Sequence, residues 1–245
     1  MSQIDAARAG ICTPEMKAVA AKEYKTPEEI RDAVARGSIA IPANINHTTL
    51  DPEGVGEGLR TKVNVNLGIS GDLMDEEMEL EKARIALELG AEGIMDLSNH
   101  GKTREFRRKL LAMSSAMIGT VPMYDAIGYL EKPLIGITAQ DFLDVIRAHA
   151  EDGVDFVTVH AGMNRRVIES FKETGRLMNI VSRGGSLIFA WMEATGNENP
   201  FYEHYDEVLE ILHEYDVTIS IGDAMRPGCT YDASDAGQIA ELIEI

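Results

Sequence analysis

The chain has 245 residues, 44% of them hydrophobic, which is enough for one large α/β domain or two small ones and excludes a disordered protein. Its 41 acidic residues against 23 basic ones give a net charge of −18, which argues against nucleic-acid and membrane partners and requires any phosphate to be met by a local exception. No apolar run approaches the roughly 18 residues of a spanning helix and MSQIDAARAG lacks a signal-peptide core, so a cytoplasmic location is expected; Cys12 and Cys229 are too few for a disulfide framework or a thiolate metal motif.

In chain order, residues 1–60 read as a helical N-terminal extension and ordered loop. Thr13-Pro14 and Thr26-Pro27 are N-cap and first-turn pairs of two helices, and IAIPANINHTTLDPEGVGEGLR has the Pro, Gly and Asn density of a loop. Residues 61–245 then repeat a strand-then-helix pattern six times. TKVNVNLGIS precedes DEEMELEKARIALELG, EGIMDLSNHG precedes a helix around 104–113, and IGTVPMYDA leads to one near 139–151. VDFVTVHAG precedes a helix near 165–174, MNIVSRGG one over 186–194, and VTISIGDAMRPG precedes ASDAGQIAELIEI. Such repeats predict parallel strands with helical crossovers.

An open doubly wound sheet and a (β/α)8-type barrel both fit. The barrel is favoured because each strand carries its polar, glycine or aromatic punctuation at its C-terminal end, and no GxGxxG follows the first strand. About six of eight units are present, so this is an incomplete (β/α) barrel. Bare sheet edges predict a homodimer or a partner chain completing the barrel.

The strand ends supply the candidate site residues. Asn64 and Asn66 share one strand face, and Asn66 either donates to a ligand or closes a turn. Met95, beside Asp96, Ser98 and His100, reads as core packing, whereas Tyr124 either bonds a ligand or caps the barrel. His160 ends an apolar strand before small residues that leave room for a ligand. Ser182, Arg183, Gly184 and Gly185 combine a hydroxyl, a guanidinium and free backbone N–H groups at a helix start, the best phosphate candidate. Asp223 and Arg226 flank the turn set by Pro227 and Gly228, as ligand contacts or as a private salt bridge. His204 and His213 fall on a surface helix without a third metal ligand. No lysine ends a strand, which argues against a Schiff-base aldolase.

Taken together, GLRTKVNVNLGIS, GAEGIMDLS, IGTVPMYDA, GVDFVTVHAG, NIVSRGGS, ENPFYEHYDEVLEI and YDVTISIGDAMRPG resemble, colinearly over nearly the whole chain, the phosphomethylpyrimidine synthase superfamily. The resemblance implies a radical S-adenosylmethionine enzyme that rearranges 5-aminoimidazole ribonucleotide. One branch makes the pyrimidine phosphate of thiamine; a paralogous branch makes 5-hydroxybenzimidazole for a cobamide. It implies substrate contacts at Asn66, Met95, Tyr124, His160, Ser182, Arg183, Gly184, Asp223, Ala224, Met225 and Arg226.

MDLSNHGKT, VPMYDA and SIGDAMRPGC look more like the benzimidazole branch, so that product is expected and the thiamine pyrimidine is the alternative. Ile69, Asp125, Ala224 and Met225, where the chain departs from NxNIGTS, from a glutamine after the tyrosine and from GDGLRPG, are expected to reshape the pocket. The resemblance also implies a [4Fe–4S] cluster, S-adenosylmethionine and zinc. The family's later glutamate, its zinc histidines and its Cys-x-x-Cys-x-x-x-x-Cys motif are not in this sequence. The expectation is therefore a truncated product, half of a split enzyme, or a non-catalytic nucleotide-binding fragment.

Overall fold

A computed structural model describes residues 1–128 and 132–245. The first 60 residues form α1 (Gln3–Arg8), α2 (Pro14–Lys22), α3 (Pro27–Ala35) and an antiparallel pair, β1 (Ile39–Ala40) with β2 (Val55–Gly56). Thr13 caps α2 by accepting the Met16 N–H, and Thr26 with Glu29 closes a capping box on α3, as the Thr-Pro pairs predict. The expected pattern contained neither α1, which Ser2 caps, nor the two-residue strands. This extension buries an apolar cluster of its own, including Met16, Val19, Ile30, Val34 and Ile41.

The remainder alternates β3 (Asn64–Leu67), α4 (Glu76–Glu88), β4 (Gly93–Asp96), α5 (Thr103–Met113), β5 (Met117–Thr120), α6 (Pro122–Gly128), α7 (Ala139–Asp152), β6 (Phe156–Val159) and α8 (Arg165–Lys172). It continues with α9 (Arg183–Thr195), α10 (Pro200–Glu203), α11 (Tyr205–Tyr215), β7 (Thr218–Ile221) and α12 (Ala236–Glu244). The strands form one parallel sheet in sequential order, β3-β4-β5-β6-β7, consistent with part of a (β/α) barrel and open between β3 and β7.

Among the described residues the sheet has five strands where the sequence pattern predicts six. MNIVSRGG makes no ladder, and β6 pairs directly with β7. Asn179 takes a left-handed φ of 51°, and the N–H groups of Leu177 and Met178 are accepted by the Asp232 carboxylate instead of a neighbouring strand. The short apolar pair Ile180-Val181 is not enough to overcome that local bonding.

Register assigns the faces. Asn66 pairs with Met95, Met95 with Gly119, Gly119 with Phe156, and Phe156 with Thr218, so these five share one face. The opposite face supplies Leu67, Ile94, Ile118, Val157 and Val159 to the core beneath the helices. The first face is open, and at its N-terminal end a cavity of about 600 Å³ lies among Asn64, Met117, Phe156, Thr218, Ser220 and the extension's Pro42 and Leu59.

Extension and sheet are joined at Asp155, which is wholly buried. Its carboxylate accepts the Asn44 N–H (3.0 Å), the Ile118 N–H (2.7 Å) and His47 Nδ1 (2.7 Å). His47 Nε2 faces the Ser114 carbonyl at 3.1 Å. Burial raises the Asp155 pKa, opposed first by the His47 hydrogen bond; with Asp155 ionised both ring nitrogens meet acceptors, which the doubly protonated imidazolium satisfies. Burial lowers the His47 pKa, but the hydrogen bond and charge of Asp155 outweigh it and raise the value above 6.5.

The stability contributed by His47 is therefore complete below about pH 6.5 and is lost as pH rises through the raised folded pKa. In urea titrations across pH 5.5–9, Asp155→Asn should cost about 3–5 kcal/mol at the acid end and less at the alkaline end. A wild-type-to-variant difference that does not change with pH would contradict the charged state assigned to His47.

Candidate functional site

The C-terminal ends of β6 and β7 meet the N-terminus of α9. Ser182 caps that helix: its Oγ accepts the Gly185 N–H at 3.1 Å and lies 3.0 Å from His160 Nε2. Three glycines permit the approach. A Cβ on Gly184 would lie 2.2 Å from His160 Cε1, one on Gly185 would lie 2.8 Å from Ala224 Cα, and one on Gly222 would lie 2.9 Å from His160 Nε2. The helix start is thereby pressed against the imidazole and the 223–228 turn.

His160 is 4% exposed, and its Nδ1 has no hydrogen-bond partner among the described residues. Burial, helped by the positive charge of Arg226 and opposed by Asp223, lowers its pKa to about 4, so the ring is neutral at physiological pH.

Arg183, exposed in the first turn of α9, places its guanidinium over the Tyr124 ring at 5.4 Å from the centroid. Burial raises the Tyr124 pKa, against the pull of both Arg183 and Arg226. Arg226 and Asp223 form a loose pair at 3.3 Å with side chains 44% and 63% exposed. Such an exposed pair contributes little, which leaves the guanidinium able to turn to another anion. Two arginines, a helix N-terminus and a neutral histidine thus converge in a chain of net charge −18.

Asn66 and Met95 lie side by side on the open sheet face. Asn66 is exposed and accepts from Asn64 Nδ2 at 2.9 Å; Met95 is half-buried against the main core. From β3 to β6 is three strand spacings, about 14 Å across the sheet, and His160 lies four residues beyond Phe156, the position in register with Asn66.

Ala224 and Met225 are fully buried, and the turn presents neither side chain to solvent. Their N–H groups bind the two oxygens of Glu241 at 2.8 and 2.7 Å, and the Met225 carbonyl accepts from Arg176 at 2.5 Å. Glu241 and Arg176 were not among the sequence candidates. The available signal is that Glu241 lies with Gly237 on the buried side of α12.

The expected pocket-shaping roles need correction. Ile69 is 8% exposed and belongs to the core, as does Met225, which is no free apolar arm. Asp125 points into a buried network, accepting from Arg107 Nη1 (2.8 Å) and contacting His149 Nε2 (2.9 Å), while His149 Nδ1 meets Thr120 Oγ1 at 2.8 Å. Burial raises its pKa, but His149 and Arg107 prevail and hold it well below the usual carboxylate range. It is a structural anion behind the sheet. His204 and His213 pair with Glu207 and Asp5 on the surface.

Among the described residues no group of three or more His, Cys, Asp or Glu is arranged to hold a metal ion. The free cysteines Cys12 and Cys229 do not supply the thiolates of a four-iron cluster. The donors on these residues do not fit cluster or zinc. No helix among them is long and apolar enough to cross a membrane.

Fold and site define an α/β protein whose parallel strands carry, at the C-terminal ends of β6 and β7, two arginines and a helix N-terminus. Residues 2–245 match the model of the Radical SAM ThiC family, and the chain belongs to that family. It is 60% identical over 242 residues to the phosphomethylpyrimidine synthase of Alkaliphilus oremlandii, covering 99% of this chain and 55% of the relative. Identity is 62% over 242 residues to that of Alkaliphilus metalliredigens, and 60% over 244 residues to that of Clostridium tetani, with 55% and 53% of those relatives covered. The chain therefore spans about half the length of the curated relatives it matches. These relatives are named for the pyrimidine product, and the expected 5-hydroxybenzimidazole assignment finds no support among them.

A histidine with its pKa near 4 should not titrate near neutrality. In heteronuclear NMR the His160 ring nitrogens should keep neutral-tautomer shifts from pH 8 down to about 5. A midpoint near 6.5 would contradict the sealed environment.

Proposed function

We propose that this chain forms the substrate-binding part of a phosphomethylpyrimidine synthase, and that the mouth holds 5-aminoimidazole ribonucleotide. The observation that carries the reading is that Arg183, in the first turn of the Ser182-capped α9, lies over the Tyr124 ring and that Arg226 acts electrostatically on the same phenol. The phosphate would sit against the Gly184 and Arg183 backbone and the two guanidiniums, as a dianion meets a helix N-terminus. Base and ribose would extend toward Tyr124, His160, Asp223, Asn66 and Met95.

Family membership supports radical chemistry, for which S-adenosylmethionine and a four-iron cluster would supply the radical; zinc is the remaining family expectation. This chain's residues would bind the nucleotide, fix its orientation and exclude water. His160, neutral and buried, would hold Ser182 Oγ at the start of α9 without adding charge.

The β7 edge and the exposed Leu242 (71%) and Ile243 (73%) of α12 support a homodimer or a partner chain over that side. Sedimentation velocity at micromolar concentration should find a species larger than the 26.8 kDa monomer or require a partner; a stable monomer contradicts this part of the proposal.

Calorimetric titration with 5-aminoimidazole ribonucleotide tests the site. Arg183→Ala and Arg226→Ala should each weaken binding about tenfold or more, the effect of losing a charge-assisted contact. Unchanged affinity in both would remove the phosphate placement. For a family-length protein reconstituted anaerobically, mass spectrometry should find the pyrimidine phosphate.

A further inference from the structure

Glu241 and Arg176 do unusual things for residues outside the mouth. Glu241 is 2% exposed, and its carboxylate spans two consecutive N–H groups, those of Ala224 and Met225. Arg176, also buried, donates to the carbonyls of Met225 (2.5 Å), Arg226 (3.4 Å) and Asn179 (3.3 Å). Asp235 holds the same guanidinium at 2.5 and 2.8 Å, and Asp232 accepts the Leu177 and Met178 N–H groups, each at 2.9 Å. The turn bearing Arg226 is thus gripped through both its donors and its acceptors. The same hub secures the start of the 176–182 segment, which ends at Ser182 and Arg183.

Burying such charges costs several kcal/mol of desolvation, and well-packed apolar residues often stabilise a fold as well or better. What apolar packing cannot do is dictate backbone direction at two successive amides. We infer that Glu241 and Arg176 are positioning residues of the anion site, fixing the Arg226 turn and the Arg183 segment relative to each other before the ligand arrives. The inference rests on the phosphate reading above. Preorganisation of this kind raises affinity because the ordering cost is met in folding instead of in binding.

The test is a double-mutant cycle on the chain, with 5-aminoimidazole ribonucleotide as probe in calorimetry. Glu241→Gln retains the side chain's shape but leaves only one oxygen to accept. It should weaken binding about tenfold in the otherwise wild-type chain and less than about twofold in an Arg226→Ala background, since it acts through that arginine. Arg176→Lys, which keeps the charge and loses the fork, should give the same pattern and serves if Glu241→Gln fails to fold. Amide exchange at Ala224 and Met225 should quicken in Glu241→Gln while that of Val157 and Val159 stays slow. Equal losses in both backgrounds, or unchanged affinity in the single variant, would overturn the inference and leave the phosphate reading standing. A wild-type chain that does not bind the nucleotide would overturn that reading and this inference with it.

Discussion

The carboxylate of Asp155 is the joint on which the molecule turns. It lies at the start of β6 with no solvent contact and gathers donors from the N-terminal extension and from β5. Its backbone N–H reaches Ile118 and its carbonyl receives Thr218, so β5, β6 and β7 come into register at one residue. Asn44 completes the joint by donating to the carbonyls of Ala150 and Val154. An uncompensated charge there would be strongly destabilising, and the partners that compensate it bring 111 positions of sequence separation to hydrogen-bonding distance.

Because β6 and β7 are locked at their N-terminal ends, their C-terminal ends deliver His160, Gly222 and Asp223 to fixed places. Glycine at 184, 185 and 222 then allows α9 to press against the imidazole and the turn. The result is a positive opening in an acidic protein, with desolvation keeping His160 from adding a third cation.

Several residues that the structure brings to the ends of β6 and β7 and the start of α9 were legible as candidates in the sequence. His160, Ser182, Arg183, Gly184 and Arg226 stand where an apolar run or a glycine pair marks a strand end or helix start, and short-range chemistry is enough to select them. The substitutions at Ile69, Asp125 and Met225 misled because sequence adjacency was taken for spatial adjacency. On α6, Tyr124 is half-exposed beside Arg183 while Asp125, one residue on, is buried against Arg107 and His149 behind the sheet. A helix turns about 100° per residue, so neighbours in sequence look in different directions.

By itself the sequence determined the local grammar: the Thr13 and Thr26 caps, the alternation of β3 through β6 with their helices, and the polar residues that end each strand. These follow from hydrogen bonds and periodicities spanning a few residues. Only the tertiary structure decided that the Leu177 and Met178 N–H groups, where MNIVSRGG begins, would go to Asp232 instead of a ladder, and that Glu241 would close on the turn at Ala224. Each of those choices is a competition between a local preference and a partner 16 to 55 residues away. A carboxylate that meets two buried N–H groups wins such a competition, and its partner is not written beside it in the chain.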